Sequence, residues 1–497
     1  MNRGKHSWLY DILLPLVLLL AGYLRFTGIE LGEGAGQHPD ENTFSGVIYS
    51  MHAHKCADTA LPVDACPEEQ KRWLGIGDYF NSKTSTLNPY NLGYGSFVYG
   101  NLPMILIRVA AEAAHVSDLR VFGRQASAAA DLLTIFILYL IVSRLYGQRA
   151  GLLASLFSSL AVMQIQQSHF FTTDLFVNPF AFFAIYFAVL ITESRERRIE
   201  NSEAKDESQG VQASTLKSPF PRHLFSNPLF LLSIGFRMAY GMALASKVNI
   251  YPLAILLPGA FAVRYLTMDR GPFDTASPVW ASPKTDESNE DTVRRPLSTV
   301  SRYWSLVLAC LVAGGLTAIV TFRIFQPYAF DGVLPDPRWV ADIKQQRAQA
   351  TGEADMPWNL QWARRTHFYS FENLTKWGLG LPLGILAWLG FLYMGWRVLK
   401  GEWRHALLWG WTAAYFLWQS LQFNPTMRYQ LPIYPLLAMM AAWFVIEAAR
   451  ASTSRILKYS IHLAGIIVLV LTAFWAFAFH SIYLRDESRV AASRWIF

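Results

Sequence analysis

Charged side chains are scarce in this chain: Asp, Glu, Lys and Arg together make 16% of its 497 residues, where soluble domains carry roughly a quarter. Cysteine is almost missing, at three residues, and no Cys/His spacing suits zinc. No Gly-rich loop ends in Lys-Ser or Lys-Thr, so an ATP-driven pump lacks its phosphate cradle. The apolar runs are continuous rather than alternating, which excludes a membrane β-barrel. A formal net charge of +7 is not a nucleic-acid signal in this setting. Lys and Arg here mark cytoplasmic loops and meet anionic lipid.

What is abundant sets the class. Hydrophobic residues make 53% and aromatics 14% of the chain, and mean hydropathy is +0.22. This composition predicts an all-α integral membrane protein, because only helices can satisfy their own backbone inside lipid when strand alternation is missing. A span needs roughly 20 mainly apolar residues. Eleven stretches qualify: 8–24, 127–143, 150–163, 175–192, 229–245, 250–266, 304–322, 379–396, 407–423, 431–448 and 459–484, the third being short. The first contains Asp11 and lacks a small-x-small cleavage site, so it is expected to stay as an anchor. Basic residues set the orientation. One set of short loops holds Arg144, Arg149, Arg397, Lys400, Arg404, Arg450, Arg455 and Lys458, and the opposite set only Lys247 and Arg428. The first set is expected to be cytoplasmic, together with the N-terminus, and the C-terminus outside.

The outer side then collects the chemistry. His38-Pro39-Asp40-Glu41 lies shortly beyond the first span, and Asp174 closes the stretch Ser168-His169-Phe170-Phe171-Thr172-Thr173-Asp174 after the third. Adjacent carboxylates at a membrane surface are costly to desolvate, so they do chemistry or bind something. Lys247 and Arg428, the two exceptions to the charge bias, fall on the same side. Each alone could be a cation snorkelling to lipid headgroups. Opposite two acids, they suit a phosphorylated lipid. Asp40 has a plainer alternative as a helix N-cap beside Pro39.

Two long outer segments, 26–120 and 323–377, could shape this site. In the first, 94–103 leads into 104–114, read as a helix lying in the membrane interface. The second carries Trp358, Trp362, Arg364, Arg365 and His367. Cys56 and Cys66 both lie in the first segment, where an oxidising exterior permits a disulfide; two free thiols are the alternative. Cys310 reads as packing inside a span, and His52 and His54 as loop residues rather than metal ligands. Segments 193–226 and 268–302, rich in Ser, Pro and mixed charge, read as cytoplasmic linkers. Residues 1–484 thus form one polytopic domain, followed by an outer stub at 485–497.

These motifs, in this order and on this side, resemble the lipid-carrier-dependent glycosyltransferases of the GT-C class, which include protein O-mannosyltransferases and aminoarabinose transferases. Arg428-Tyr429, Gly123-Arg124-Gln125-Ala126-Ser127 and Arg144-Leu145-Tyr146-Gly147 add to the likeness. Several relatives continue past the point where this chain stops. The resemblance implies a polyprenyl-phosphate sugar as donor, a protein, lipid or glycan hydroxyl as acceptor, and transfer at the outer face of a plasma or inner membrane. Asp40 is then the general base, and Glu41 either supports it or orients a sugar hydroxyl. Lys247 and Arg428 face the leaving phosphate, while His38, His169, Asp174 and Tyr429 position substrates. Asp40, Glu41 and Asp174 could also hold a divalent cation through oxygen ligands; relatives differ on that requirement. Two rival classes are a transporter or flippase of lipid-linked sugars, for which Asp131 and Arg237 near midspan argue, and a non-catalytic scaffold subunit.

Overall fold

The structure is a computed structural model that describes residues 7–36, 38–57, 63–194, 224–267, 297–354 and 356–496. The segments read as linkers lie largely outside the described residues, except that 297–302 already belong to a helix. The fold is all-α. Its helices are α1 (Ser7–Phe26), α2 (Pro39–Ser50), α3 (Asn101–Ala113), α4 (Leu119–Tyr146), α5 (Gln148–Ser159), α6 (Val162–Ser168), α7 (Thr173–Glu193) and α8 (Pro228–Ser246). They continue with α9 (Leu256–Thr267), α10 (Leu297–Phe325), α11 (Pro337–Thr351), α12 (Leu381–Leu399), α13 (Ala406–Ser420), α14 (Tyr434–Ala451) and α15 (Arg455–His480).

Among the described residues, nine helices are long and apolar enough to cross a membrane. The two expected spans that fall short still cross the bundle, and the contacts at their ends show why. At one end, Arg144 pairs with Glu193, and Arg264 reaches the Ser194 carbonyl. Tyr146 meets His405 at 3.0 Å, and Arg149 donates to Tyr10. At the other end, Arg124 binds Glu41, and the Phe171 amide donates to that same carboxylate. So α4 runs from the second end to the first, and α5 with α6 must bring the chain back by residue 171. In the same way α13 leaves His405 at the far end and delivers Ser420 beside His367. Among the described residues, these two crossings join the nine long helices in passing through the bundle.

The α5–α6 pass is broken for a physical reason. Arg25 of α1 is fully buried and donates to the carbonyls of Ser158 and Ser159, at 3.4 and 3.0 Å, where the helix stops. Its charge is balanced by fully buried Asp131 at 2.6 Å. Asp131 also accepts from Gln164, and Gln164 from Ser158, both at 2.9 Å. A closed network of this kind satisfies the freed carbonyls without water.

The most enclosed pass is α14, whose Leu436, Leu437, Met439, Met440 and Trp443 form the centre of the main core. The outermost is α15, which presents Leu463, Ile466, Ile467, Val470, Leu471 and Phe474 outward. That stripe of large apolar side chains suits lipid tails, in which it costs nothing. The chain is a multi-pass integral membrane protein.

A second core covers the site end. Phe44, Val47 and Ile48 of α2, with Met51 just beyond its end, pack with Met104 and Ile107 of α3, and with Phe171 and Tyr328. Each fully buried side chain of this size contributes about 1.5–3 kcal/mol. The helix expected in the interface is present as α3. Most of it is buried against this core, while Leu106 and Val109 are exposed. Cys56 and Cys66 form a disulfide beside a two-stranded ladder, β1 (His54–Cys56) against β2 (Lys71–Trp73). Glu112 anchors that ladder to α3. It accepts from the Ala53 amide and from Arg108, and pairs with His54.

Candidate active site

Local sequence aims the tetrapeptide. Pro39 takes the first position of α2, where its missing amide hydrogen costs nothing. The cap is therefore His38, whose Nδ1 accepts from the Glu41 amide at 3.2 Å. Burial, with Arg428 nearby, holds His38 below its ordinary value even though Asp40 pulls the other way. It is neutral near pH 7, and Nδ1 is free to accept. Asp40 is thus not the cap. Its carboxylate turns instead to Arg428, with 30% of the side chain exposed.

Glu41 points the opposite way. It is fully buried, holds Arg124 through two bonds of 2.7 Å, and accepts the Phe171 amide at 2.7 Å. A carboxylate with three donors and no solvent access is closed to a substrate; Glu41 fixes the site's frame. Gly123 makes the approach possible, since a Cβ there would collide with the Phe171 ring.

Asp174 opens α7 and pairs with Lys247, which ends α8. The Lys247 ammonium lies 4.3 Å from the centre of the Tyr429 ring, and the Arg428 guanidinium 5.4 Å from it. The Tyr429 ring therefore meets both cations, and its quadrupole attracts each of them. The His38 ring meets Phe170 at 4.5 Å, which joins the 168–174 motif to the tetrapeptide. His38, Asp40, Asp174, Lys247, Arg428 and Tyr429 thus converge, although they come from four separate stretches of sequence.

His169 does not join them. It is fully buried, with Nδ1 2.8 Å from the Ile165 carbonyl and Nε2 3.0 Å from that of Thr27. Its ring stacks flat on Tyr483 at 3.5 Å, and burial pushes it down to about 4. It closes the wall behind the motif.

The three carboxylates whose oxygens could serve a divalent cation each hold a different basic side chain: Asp40 holds Arg428, Glu41 holds Arg124 and Asp174 holds Lys247. Among the described residues, no group of three or more His, Cys, Asp or Glu side chains is arranged to hold a metal ion.

Two participants were not singled out from sequence. Arg124 was noted only as part of a flanking motif. Tyr99 stood in the stretch 94–103, and its ring packs edge-on against Phe44 and Phe97, both at 5.6 Å. Gly100 beside it sits against the carbonyls of Ala245 and Ser246, where a Cβ has no room. Burial, and then the Asp40 carboxylate, push the Tyr99 phenol up, so it stays a proton donor. The second outer segment braces this stretch. Asp342 accepts from Tyr90 at 2.6 Å and from the Phe97 amide at 2.8 Å, and Gln326 accepts from the Asn101 amide at 2.6 Å.

Residues 105–199 match the family described as dolichyl-phosphate-mannose-protein mannosyltransferase. The matched stretch includes Arg124, Asp131 and Asp174, but not Asp40, Lys247 or Arg428. Among solved structures, the fold is similar to the archaeal oligosaccharyltransferase AglB from Archaeoglobus fulgidus, in complex with an inhibitory peptide and a dolichol-phosphate. That likeness has 13% identity and a TM-score of 0.51, over 97% of this chain and 56% of that one. The apo form of the same oligosaccharyltransferase gives 14% identity and a TM-score of 0.50, over 97% and 57%. ArnT from Cupriavidus metallidurans, bound to undecaprenyl phosphate, gives 13% identity and a TM-score of 0.46, over 97% and 76%. This chain spans a little over half the length of the archaeal chains it matches. No curated protein matched it by sequence. The family match is confined to residues 105–199, and the likeness to the archaeal structures, over nearly the whole of this chain, is one of fold.

Proposed function

We propose that this chain transfers a sugar from a polyprenyl-phosphate donor to an acceptor hydroxyl at the outer membrane face, with inversion at the anomeric carbon. The observation that carries this reading is the pairing of a half-exposed carboxylate, Asp40, with two cations gathered on one ring, Lys247 and Arg428. The acceptor oxygen forms a bond to the anomeric carbon as the bond from that carbon to the phosphate oxygen breaks. Asp40 takes the acceptor's proton, because a hydroxyl alone is a weak nucleophile. The electron pair leaves with the phosphate, whose growing charge Lys247 and Arg428 stabilise. Before the donor arrives, Asp174 holds Lys247 at the site, and Tyr99 offers a hydrogen bond to sugar or phosphate. The sugar and the acceptor are read out by mass spectrometry of glycolipids and glycoproteins from cells with and without the gene.

Lys247→Ala and Arg428→Ala are expected to impair use of the donor more than use of the acceptor. Part of the loss is expected in turnover, because these contacts strengthen as the phosphate departs. Arg428→Lys is expected to recover only part, since an ammonium cannot bind two phosphate oxygens as a fork. Kinetics over a range of donor concentrations decide this. Full activity with Lys at 428 reduces Arg428 to a headgroup contact.

Sidedness rests on the basic-residue bias, and the Cys56–Cys66 disulfide at the site end supports it. A cysteine placed at residue 210 is expected to react with an impermeant reagent only from the cytoplasm, and one at residue 350 only from outside. Reaction of both from one side would discard the outer-face reading. The flippase reading loses Asp131, since that carboxylate is sealed in an ion pair with Arg25.

A further inference from the structure

The two cations that a donor phosphate requires are already engaged. Arg428 is paired with Asp40, and Lys247 with Asp174. The Asp40–Arg428 pair is not sealed. Its side chains keep 30% and 25% of their area exposed, whereas both members of the Arg25–Asp131 pair keep none. Among the described residues, Arg428 is also the one hydrogen-bonding partner of the Asp40 carboxylate, while Glu41 next to it has three donors. Both cations rest on the Tyr429 ring, and Arg428 belongs to a short 3-10 turn, Met427–Ile433. Each can therefore change its anionic partner by a side-chain movement over the ring, without moving a helix. A phosphate offers more oxygens than one carboxylate, and a guanidinium meets two of them at once.

We propose, on the reading above, that a prenyl phosphate binds by exchange, taking Arg428 from Asp40 and Lys247 from Asp174. Asp40 becomes free to accept a proton only once the donor is in place. The empty enzyme then holds its base shut, and binding is ordered, with the donor before activation of the acceptor. No covalent bond changes in this step; one ion pair replaces another.

The test needs neither sugar nor acceptor. A short-chain prenyl phosphate is titrated calorimetrically into the detergent-solubilised full chain. Asp40→Asn is expected to bind roughly three- to tenfold more tightly than the unsubstituted chain, because the competing carboxylate is gone. The gain is expected to shrink below about twofold when Asp40→Asn is made together with Arg428→Ala, since no shared cation is left to release. Asp40→Ser repeats the comparison should the Asn variant fold poorly. An equal gain in both backgrounds marks long-range charge alone and overturns the exchange. Unchanged or weaker binding by Asp40→Asn overturns it too. Turnover is a separate readout. An Asp40→Asn chain that is inactive yet binds with unchanged affinity removes the exchange and keeps Asp40 as base. Failure of the unsubstituted chain to bind prenyl phosphate removes both.

Discussion

Asp40→Asn is expected to lower glycosyl transfer by at least ~10²-fold, the usual effect of removing a general base, while membrane insertion and thermal stability stay close to those of the parent. The substitution keeps the shape of the side chain and one acceptor oxygen for Arg428. It removes the only function that an amide cannot supply, which is to take a proton. The fold cost is small because the side chain is half-exposed and its ion pair lies at the solvent boundary. His38 still caps α2, and Glu41 still holds Arg124, so the frame around residue 40 is unchanged. Rates measured with a purified polyprenyl-phosphate sugar decide the matter. Turnover within a few fold of the parent would take the base away from Asp40 and leave the carboxylate a structural partner of Arg428. The companion substitution Glu41→Gln is informative by contrast. It weakens a buried charge pair, so its damage is expected first in thermal stability and only through that in rate.

The largest expected effect on stability lies far from the chemistry. Asp131→Ala is expected to cost about 3–5 kcal/mol, because it leaves the Arg25 guanidinium charged, buried and unpaired. Gln164 loses its acceptor at the same time. The damage should centre on the break between α5 and α6, since Arg25 also binds the Ser158 and Ser159 carbonyls. Thermal unfolding in detergent gives the measurement. A midpoint within a degree or two of the parent's would mean that the pair contributes nothing net. Replacing both charges by leucine is expected to recover only part of the loss, as the carbonyls that Arg25 served remain without a donor.

Membrane class and the passes through the bundle were legible in the sequence because each rests on local composition, and loop charge set the sidedness expected of the site. A run of apolar residues must be helical in lipid whatever surrounds it, and basic residues bias loops independently of packing. Even so, 150–163 and 407–423 gave spans that no single long helix fills. The first is interrupted at Leu160 because Arg25, from more than a hundred residues earlier, takes up the carbonyls at the break.

The site residues divide along the same line. Asp40, Asp174, Lys247 and Arg428 stood out in sequence because a charge at the end of an apolar run is conspicuous wherever it falls. Their pairing was not visible, since attraction between charges depends on distance in space and not along the chain. Nor could sequence separate Asp40 from Glu41: two adjacent acids look alike until Pro39 starts the helix. The first then faces Arg428 with part of its surface open to solvent, and the second faces Arg124 in a closed core. His169 was misplaced among the substrate contacts for the converse reason. Its neighbours in sequence lead to the site, but its ring turns inward to Tyr483 and two carbonyls. The sequence by itself determined that acids and cations would share one membrane surface. The tertiary structure decided which acid meets which cation, because only packing fixes the direction in which each side chain leaves its helix.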